Sequence, residues 1–325
     1  MTEAAIETPI TPMTQAMANG APVSRRDLKA LMKRSDRPGL VRLFWWCVTL
    51  TVTGALVWAS GNNPWLLIPA MFIHGIVVVH HFALQHECSH YTAFRSVWIC
   101  NLLAHICGFI LVIPPRFFRY EHCDHHTYTN LHGRDPEMIE LPVSFRTYLL
   151  YVSSIPYWYS QFEGLLRRAA GRITDGERRF LPESERGAVV LEARLMLAGY
   201  AVIGLVMLAT GWTAPLFYWI LPMFMAEPVM RMIRMTEHVG RPQVEDMRIN
   251  TRTNIVSAPW RFLAWNMNYH AEHHYAASVP FHALPKLHEK LAGHIFVERQ
   301  GYLAAHLDIL AQTLGRKPRA DQSAG

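Results

Sequence analysis

Apolar and polar residues fall in long blocks along this chain. The first apolar block covers residues 40–60 and the second residues 64–84. Each approaches the roughly 20 residues that a helix needs to cross about 30 Å of hydrocarbon. Gly61-Asn62-Asn63 between them is short and uncharged, so the two blocks predict a helical hairpin. A second pair covers residues 189–210 and 213–233, joined by Gly211-Trp212. Between the pairs, residues 97–115 are apolar but marginal in length, and they end in Pro114-Pro115. They predict a short or re-entrant helix at the membrane surface. Glu192, Arg194 and Glu227 sit in or beside the second pair, where charge is expensive in lipid, so they are expected to face the protein interior or the aqueous edge. Pro228 predicts a kink. The fold class is therefore all-α and integral to a membrane, with about four transmembrane helices in two hairpins plus interfacial helices.

Composition agrees with the pattern. Apolar residues make up 51% of the 325 positions and charged residues 17%, against about 25% charged in typical soluble domains. The formal net charge of +6 does not point to nucleic acid, because the basic residues flank the apolar blocks, where anionic lipid and membrane orientation explain them. Arg25, Arg26, Lys29, Lys33, Arg34, Arg37 and Arg42 precede or open the first block. The 116–186 segment is also rich in Arg, while both hairpin turns lack Lys and Arg. The positive-inside rule then puts the N-terminus, residues 116–188 and the C-terminal third in the cytoplasm, with an inner or plasma membrane as the location. Residues 1–23 lack the basic and apolar regions of a signal peptide. They and residues 313–325 are expected to be disordered tails around a single domain at 24–312. The five cysteines form no CxxC pair, so neither a disulfide framework nor a zinc knuckle is indicated. Cys88 and Cys123 read as small fillers.

The chemistry lies in histidine. Of 18 histidines, eight fall in three groups: His86/His90, His122/His125/His126 and His270/His273/His274. The i, i+4 spacing of the first group, and the i, i+3, i+4 spacing of the other two, place each group on one helical face. Topology puts all three at the same side of the membrane. Eight imidazoles converging there imply transition metal. One ion rarely takes more than six ligands, so two ions are the natural count. Iron suits a nitrogen-rich site that leaves room for oxygen, whereas zinc sites usually need three or four ligands.

Around these groups stand His125-His126-Thr127, Asp135-Pro136-Glu137, Asn266-Met267-Asn268-Tyr269 before the last group, and Val279-Pro280-Phe281-His282-Ala283-Leu284-Pro285 after it. In these motifs, their order and the hydropathy profile, residues 40–295 resemble the membrane fatty acid desaturase superfamily. The resemblance implies a four-helix membrane domain under a cytoplasmic cap holding two irons, with the boxed histidines as ligands. It adds His238, just past the last apolar block, as a ninth ligand. Some members carry an Asn one turn before that histidine to hold a water; here Arg234 stands there, which puts that water in doubt. The implied chemistry is reductive activation of O2 as co-substrate and abstraction of hydrogen from an unactivated C–H bond. No acid–base or nucleophilic residue beyond the metal ligands is required.

The sequence holds neither a haem-binding HPGG segment nor a GxGxxG segment, so electrons are expected from an external protein of ferredoxin or rubredoxin type. The substrate class is a fatty acyl chain or another lipid-like, amphiphilic molecule. A hydroxylase or ketolase with the same site is the alternative, and a non-enzymatic haem- or metal-binding membrane protein a more distant one. Glu87, Asp124, Asp135, Glu237 and Glu272 are candidates to orient ligand imidazoles. His74, His80, His81, His105, His132, His282, His288, His294 and His306 are read as structural. Arg116, Arg119, Arg167, Arg168, Arg178 and Arg179 are expected to meet lipid phosphates rather than an acidic electron donor.

Overall fold

The computed structural model describes residues 21–317. Four helices are long and apolar enough to cross a membrane: Asp36–Ala59, Pro64–Ser89, Glu183–Thr210 and Leu216–His238. They form the two expected hairpins. The first has 24 residues, or about 36 Å of helix, more than the hydrocarbon thickness. Its outward face carries Phe44, Trp45, Leu56 and Trp58. Trp58 and Trp65, at the turn of the first hairpin, are 77% and 86% exposed, and Trp212 marks the turn of the second. Large apolar side chains left bare in this way are lipid-facing, and the tryptophans belong at the interface.

Each span runs past the limits that hydropathy sets. Hydropathy ends the second at about residue 84, but the helix continues to Ser89 and so carries His86 at its end. It breaks locally at His80, where the chain passes from Pro64–Val79 to His81–Ser89. The third span starts at Glu183, in polar residues outside the apolar block. The fourth opens with a widened turn, Leu216–Ile220, and Leu221–His238 then runs unbroken through Pro228.

Residues 97–128 take the re-entrant course. Val97–Leu111 and Pro115–Tyr128 are bent by 96°. Val112 at the corner has a left-handed φ of 61°, and Pro115 opens the second limb, where its missing N–H is no loss. That limb carries the second histidine group. Short helices over residues 145–180 flank it, and Gly301–Thr313 closes the chain against Leu221–His238. Beta structure is limited, among the described residues, to a parallel pair, Thr253–Asn254 with Val297–Glu298.

Away from the histidine cluster, several buried polar groups of the spans are paired, as lipid demands. His74 meets Thr53 Oγ1 at 2.8 Å and the Tyr218 carbonyl at 3.0 Å, and Arg231 donates to Glu227 at 2.7 Å. Glu192 accepts the Arg116 backbone N–H, and Arg194 lies at the edge, bonded to the Ala169 carbonyl. Of the expected tails, residues 1–20 and 318–325 lie outside the described residues. At the inner limits, Val23 is buried beside Leu28 and Tyr275, and the last helix reaches Thr313.

Candidate metal centre

The structure brings together all nine histidines singled out in the sequence. His86 comes from the second span and His90 caps it. His122, His125 and His126 come from the limb Pro115–Tyr128, His238 from the end of the fourth span, and His270, His273 and His274 from the short helix His270–Tyr275. They divide into two sets. Ligand nitrogens of His86, His90, His122, His126 and His273 lie within 4.8 Å of one another, as do those of His125, His238 and His274. His270 joins the second set, with its Nε2 3.0 Å from His238 Nε2 and 3.1 Å from His274 Nε2. The sets are adjacent, the His126 and His274 rings stacking at 4.2 Å.

The spacings are those of ligands. His126 Nε2 is 3.1 Å from both His122 Nε2 and His273 Nε2. Two nitrogens at right angles on one ion, each about 2.1 Å away, sit about 3.0 Å apart. His86 Nε2, His90 Nε2 and His125 Nε2 are buried without any hydrogen-bond partner. A buried, unpaired imidazole nitrogen is unfavourable unless something fills its lone pair. Burial first, and neighbouring imidazoles second, hold His270, His273 and His274 well below the usual imidazole pKa, so they present neutral lone pairs.

Three of the opposite ring nitrogens are firmly anchored, while those of His86, His126, His270 and His273 are buried without a partner. His125 Nδ1 meets Asp135 at 2.8 Å, His122 Nδ1 meets Glu137 at 2.7 Å, and His274 Nδ1 meets Thr129 Oγ1 at 3.0 Å. These bonds fix the tautomer that aims Nε2 inward. Burial alone raises the Asp135 carboxyl, but the partner His125 outweighs it and holds the pKa below the ordinary value. Asp135→Asn is expected to weaken metal retention about 10- to 100-fold, measured by titrating the metal off with a chelator.

Only Asp135 among the five candidate carboxylates bonds an Nδ1 of the cluster. Glu87 binds Thr92 Oγ1 at 2.8 Å and accepts the Phe281 N–H at 3.2 Å. Asp124 meets Arg179, and Glu272 meets His288 and Thr253 Oγ1. Glu237 binds Arg234 at 2.8 Å and lies 3.7 Å from His270 Nε2. Glu137 and Thr129 are the partners that sequence reasoning passed over, although Glu137 stands two residues after Asp135. Arg234 is buried and bridges Glu137 and Glu237, 2.8 Å from each. The first group also fits the H-E-x-x-H spacing of zinc proteases. Spacing does not separate the two; Glu87 does, since its bonds turn it to Thr92 and Phe281 rather than to a metal-bound water.

The remaining candidates fall elsewhere. His81 bonds the Val78 carbonyl at 2.7 Å, and His306 bonds the Met232 carbonyl at 2.6 Å. His132 and His294 are exposed. Cys88 is buried beside Cys100 and Cys107, and all five cysteines are free thiols. All six candidate arginines make internal bonds. Arg167 and Arg168 hold Glu177, Arg116 holds Glu185, and Arg119 reaches Tyr91. Arg178 and Arg179 donate to the carbonyls of Ile173 and Arg134.

Fold and cluster together define a helical membrane protein with a histidine-rich centre of metal-binding type. The sequence model of the fatty acid desaturase family matches residues 62–303, and the chain belongs to that family. It is similar to an sn-1 oleoyl-lipid 12-desaturase of Synechocystis sp., 21% identical over 310 residues that cover 87% of this chain and 86% of the relative. An sn-1 acyl-lipid omega-3 desaturase (ferredoxin) of Nostoc sp. is 22% identical over 66% of this chain and 63% of its own length. A further sn-1 oleoyl-lipid 12-desaturase, from Picosynechococcus sp., is 37% identical over 68 residues, which cover 21% of this chain and 20% of the relative. In the last two alignments the chain spans less than two thirds of the relative's length. Membership makes the protein an oxidoreductase of lipid metabolism in a membrane.

Proposed function

We propose that this protein is an O2-dependent di-iron desaturase that introduces a C=C bond into a fatty acyl or other lipid-like, amphiphilic substrate. The observation that carries the reading is the convergence of nine imidazoles in two sets, with buried nitrogens that have no partner inside the protein. That donor set fits two iron ions: His86, His90, His122, His126 and His273 would hold one, and His125, His238, His270 and His274 the other. When bound, the two irons supply O2 activation and an oxidant able to break an unactivated C–H bond.

The protein's own residues do the rest. Asp135, Glu137 and Thr129 hold the imidazoles of His125, His122 and His274 in one tautomer and orientation. Phe118 stacks on His122 at 5.1 Å and Phe82 lies 6.2 Å from His86, and both exclude water from that side. A narrow slot of about 30 Å³, lined in part by Ala83, Met230, Ile233 and Met267, touches both His86 and His270. Its wall is mostly apolar, with Arg234 and Glu237 on the His270 side, and the apolar part suits presentation of a C–H bond. Electrons come from an external donor of ferredoxin or rubredoxin type, and the cluster faces the cytoplasm, where such donors reside.

Expression in a lipid-profiled host under isotope-labelled oxygen, with His273→Ala as control, tests the reading. A new product lighter by two hydrogens, free of label and absent from the control, is expected. A labelled alcohol or ketone would replace desaturation by hydroxylation.

A further inference from the structure

A groove of about 570 Å³ lies at the foot of the first span, where the span meets the segments on either side of the third histidine group. Arg37, Arg42 and Trp45 come from the span, Arg261 from the short helix Ala258–Leu263 before that group, and Phe281 and His282 from the turn after it. The volume is that of pockets that seat small molecules, about 300–1,000 Å³. The groove shares no lining residue with the slot at His86 and His270.

The charge of its own wall is one-sided. Three guanidiniums line it, and among the described residues no carboxylate does. The Arg37 and Arg261 side chains are exposed and make no hydrogen bond or ion pair among the described residues. Asp36, next to Arg37 in sequence, is turned away, its oxygens 2.8 Å from the Ser96 N–H and from Ser96 Oγ. Arg42 is half-buried, its guanidinium 5.1 Å from the centre of the Phe262 ring and 5.5 Å from that of Phe281. It donates to the Phe262 carbonyl at 2.8 Å and to the Arg261 carbonyl at 3.4 Å, both from one nitrogen. A guanidinium drawn out of water usually has an acidic partner; here the rest of its five-donor fork is open. His282 Nε2 is buried with no hydrogen-bond partner. The groove also sits at headgroup level. The span has 24 residues, or about 36 Å against about 30 Å of hydrocarbon, and its first turn carries Arg37. Val41 and Trp45, 52% and 54% exposed, extend the wall onto the lipid-facing side of the helix. A protein docked there would have to enter lipid, whereas a phospholipid meets the cations and the apolar wall together. A choline headgroup brings a cation of its own; a headgroup of net negative charge matches the excess.

We infer that this groove seats the phosphate of a net-anionic phospholipid, with the acyl chains lying along Val41 and Trp45. The lipid ties the first span to both flanks of His270–Tyr275 and so steadies the helix that carries His270, His273 and His274. It acts by binding and takes no part in bond breaking.

The full chain, purified in non-ionic detergent, is titrated with short-chain phosphatidylglycerol, short-chain phosphatidylcholine and inorganic phosphate. Its melting temperature is followed, and native mass spectrometry counts the lipids that stay bound. Phosphatidylglycerol at about ten times its dissociation constant is expected to raise Tm by roughly 2–4 °C and to be retained in preference to phosphatidylcholine. Inorganic phosphate, which lacks the chains, should do neither. Arg37→Gln and Arg261→Gln together are expected to weaken phosphatidylglycerol binding at least about 10- to 100-fold, the loss of charge-assisted hydrogen bonds. Neither side chain has a partner within the protein, so the lipid-free Tm should hold. Lysine at both positions keeps the charge and the preference. Arg299→Gln removes an equal charge from an exposed site outside the groove and should leave binding unchanged. Equal retention of the two lipids would overturn the inference. So would the same stabilisation by inorganic phosphate, which would make the groove a site for a free anion. Full phosphatidylglycerol binding by the double glutamine variant would also overturn it; slower electron uptake from a ferredoxin in that same variant would assign the groove to an acidic donor instead.

Discussion

Replacing His126 by alanine is expected to give a folded chain that binds one iron or fewer and makes no product. His126 Nε2 stands 3.1 Å from two other cluster nitrogens, so its removal opens the first set from the middle. Loss of a hydrogen-bond partner behind a ligand typically weakens metal binding 10- to 100-fold; loss of the ligand itself should exceed about 100-fold. Metal bound only by the folded chain also stabilises it, so the variant should melt below the wild type and respond less to a chelator. His294→Ala is the control. His294 is exposed and outside the cluster, so both irons and full turnover should remain. Equal iron in the His126→Ala and wild-type proteins would remove His126 from the ligand set.

The second large effect is at a helix crossing. Gly75, in the second span, lies against the backbone of the fourth. A Cβ there would sit 2.0 Å from the Pro222 carbonyl oxygen and 2.7 Å from its carbon. No side chain can swing away, so Gly75→Ala must push two spans apart. Small residues allow such close backbone approach in membranes, and overpacking costs about 1–3 kcal/mol. The same two spans deliver His86 and His238, so iron retention should fall along with thermal stability. A drop in Tm of roughly 2–10 °C is expected. Gly204→Ala is the opposite case: nothing lies within 4 Å of its Cβ, and alanine favours helix by about 0.5–1 kcal/mol. Its Tm should hold or rise. A Gly75→Ala protein with wild-type Tm and iron would show that the crossing is looser than described.

The histidine groups were legible because period and chemistry coincide: each group occupies one helical face, and hydropathy places the spans that deliver them. Span ends were not legible in the same way. Hydropathy stops where apolar residues stop, yet the second helix continues through His86-Glu87-Cys88-Ser89, and its polar end enters the cluster. The orienting carboxylates failed for a geometric reason. Glu87, Asp124, Glu237 and Glu272 each adjoin a boxed or ligand histidine in sequence. Neighbours on a helix point about 100° apart, so a carboxylate next to a ligand faces away from it. Glu137 reaches His122 from 15 residues away, after the chain reverses beyond Asn130. No periodicity signals that contact.

Arg234 shows how local replacement is absorbed. The resemblance places a small water-holding amide at this position. Here a guanidinium fills it, buried and held by Glu137 and Glu237 on either side. A buried cation needs such partners, and one of them, Glu137, also orients His122. The charge lattice beside the cluster and the anchoring of the first histidine set thus share a residue.

The central claim is that these nine histidines hold two iron ions. Elemental analysis of the purified wild-type chain, normalised to protein by amino-acid analysis, tests it most directly. Two irons per chain, with no stoichiometric zinc and no haem absorption, are predicted. One zinc per chain, or one haem, would contradict the claim.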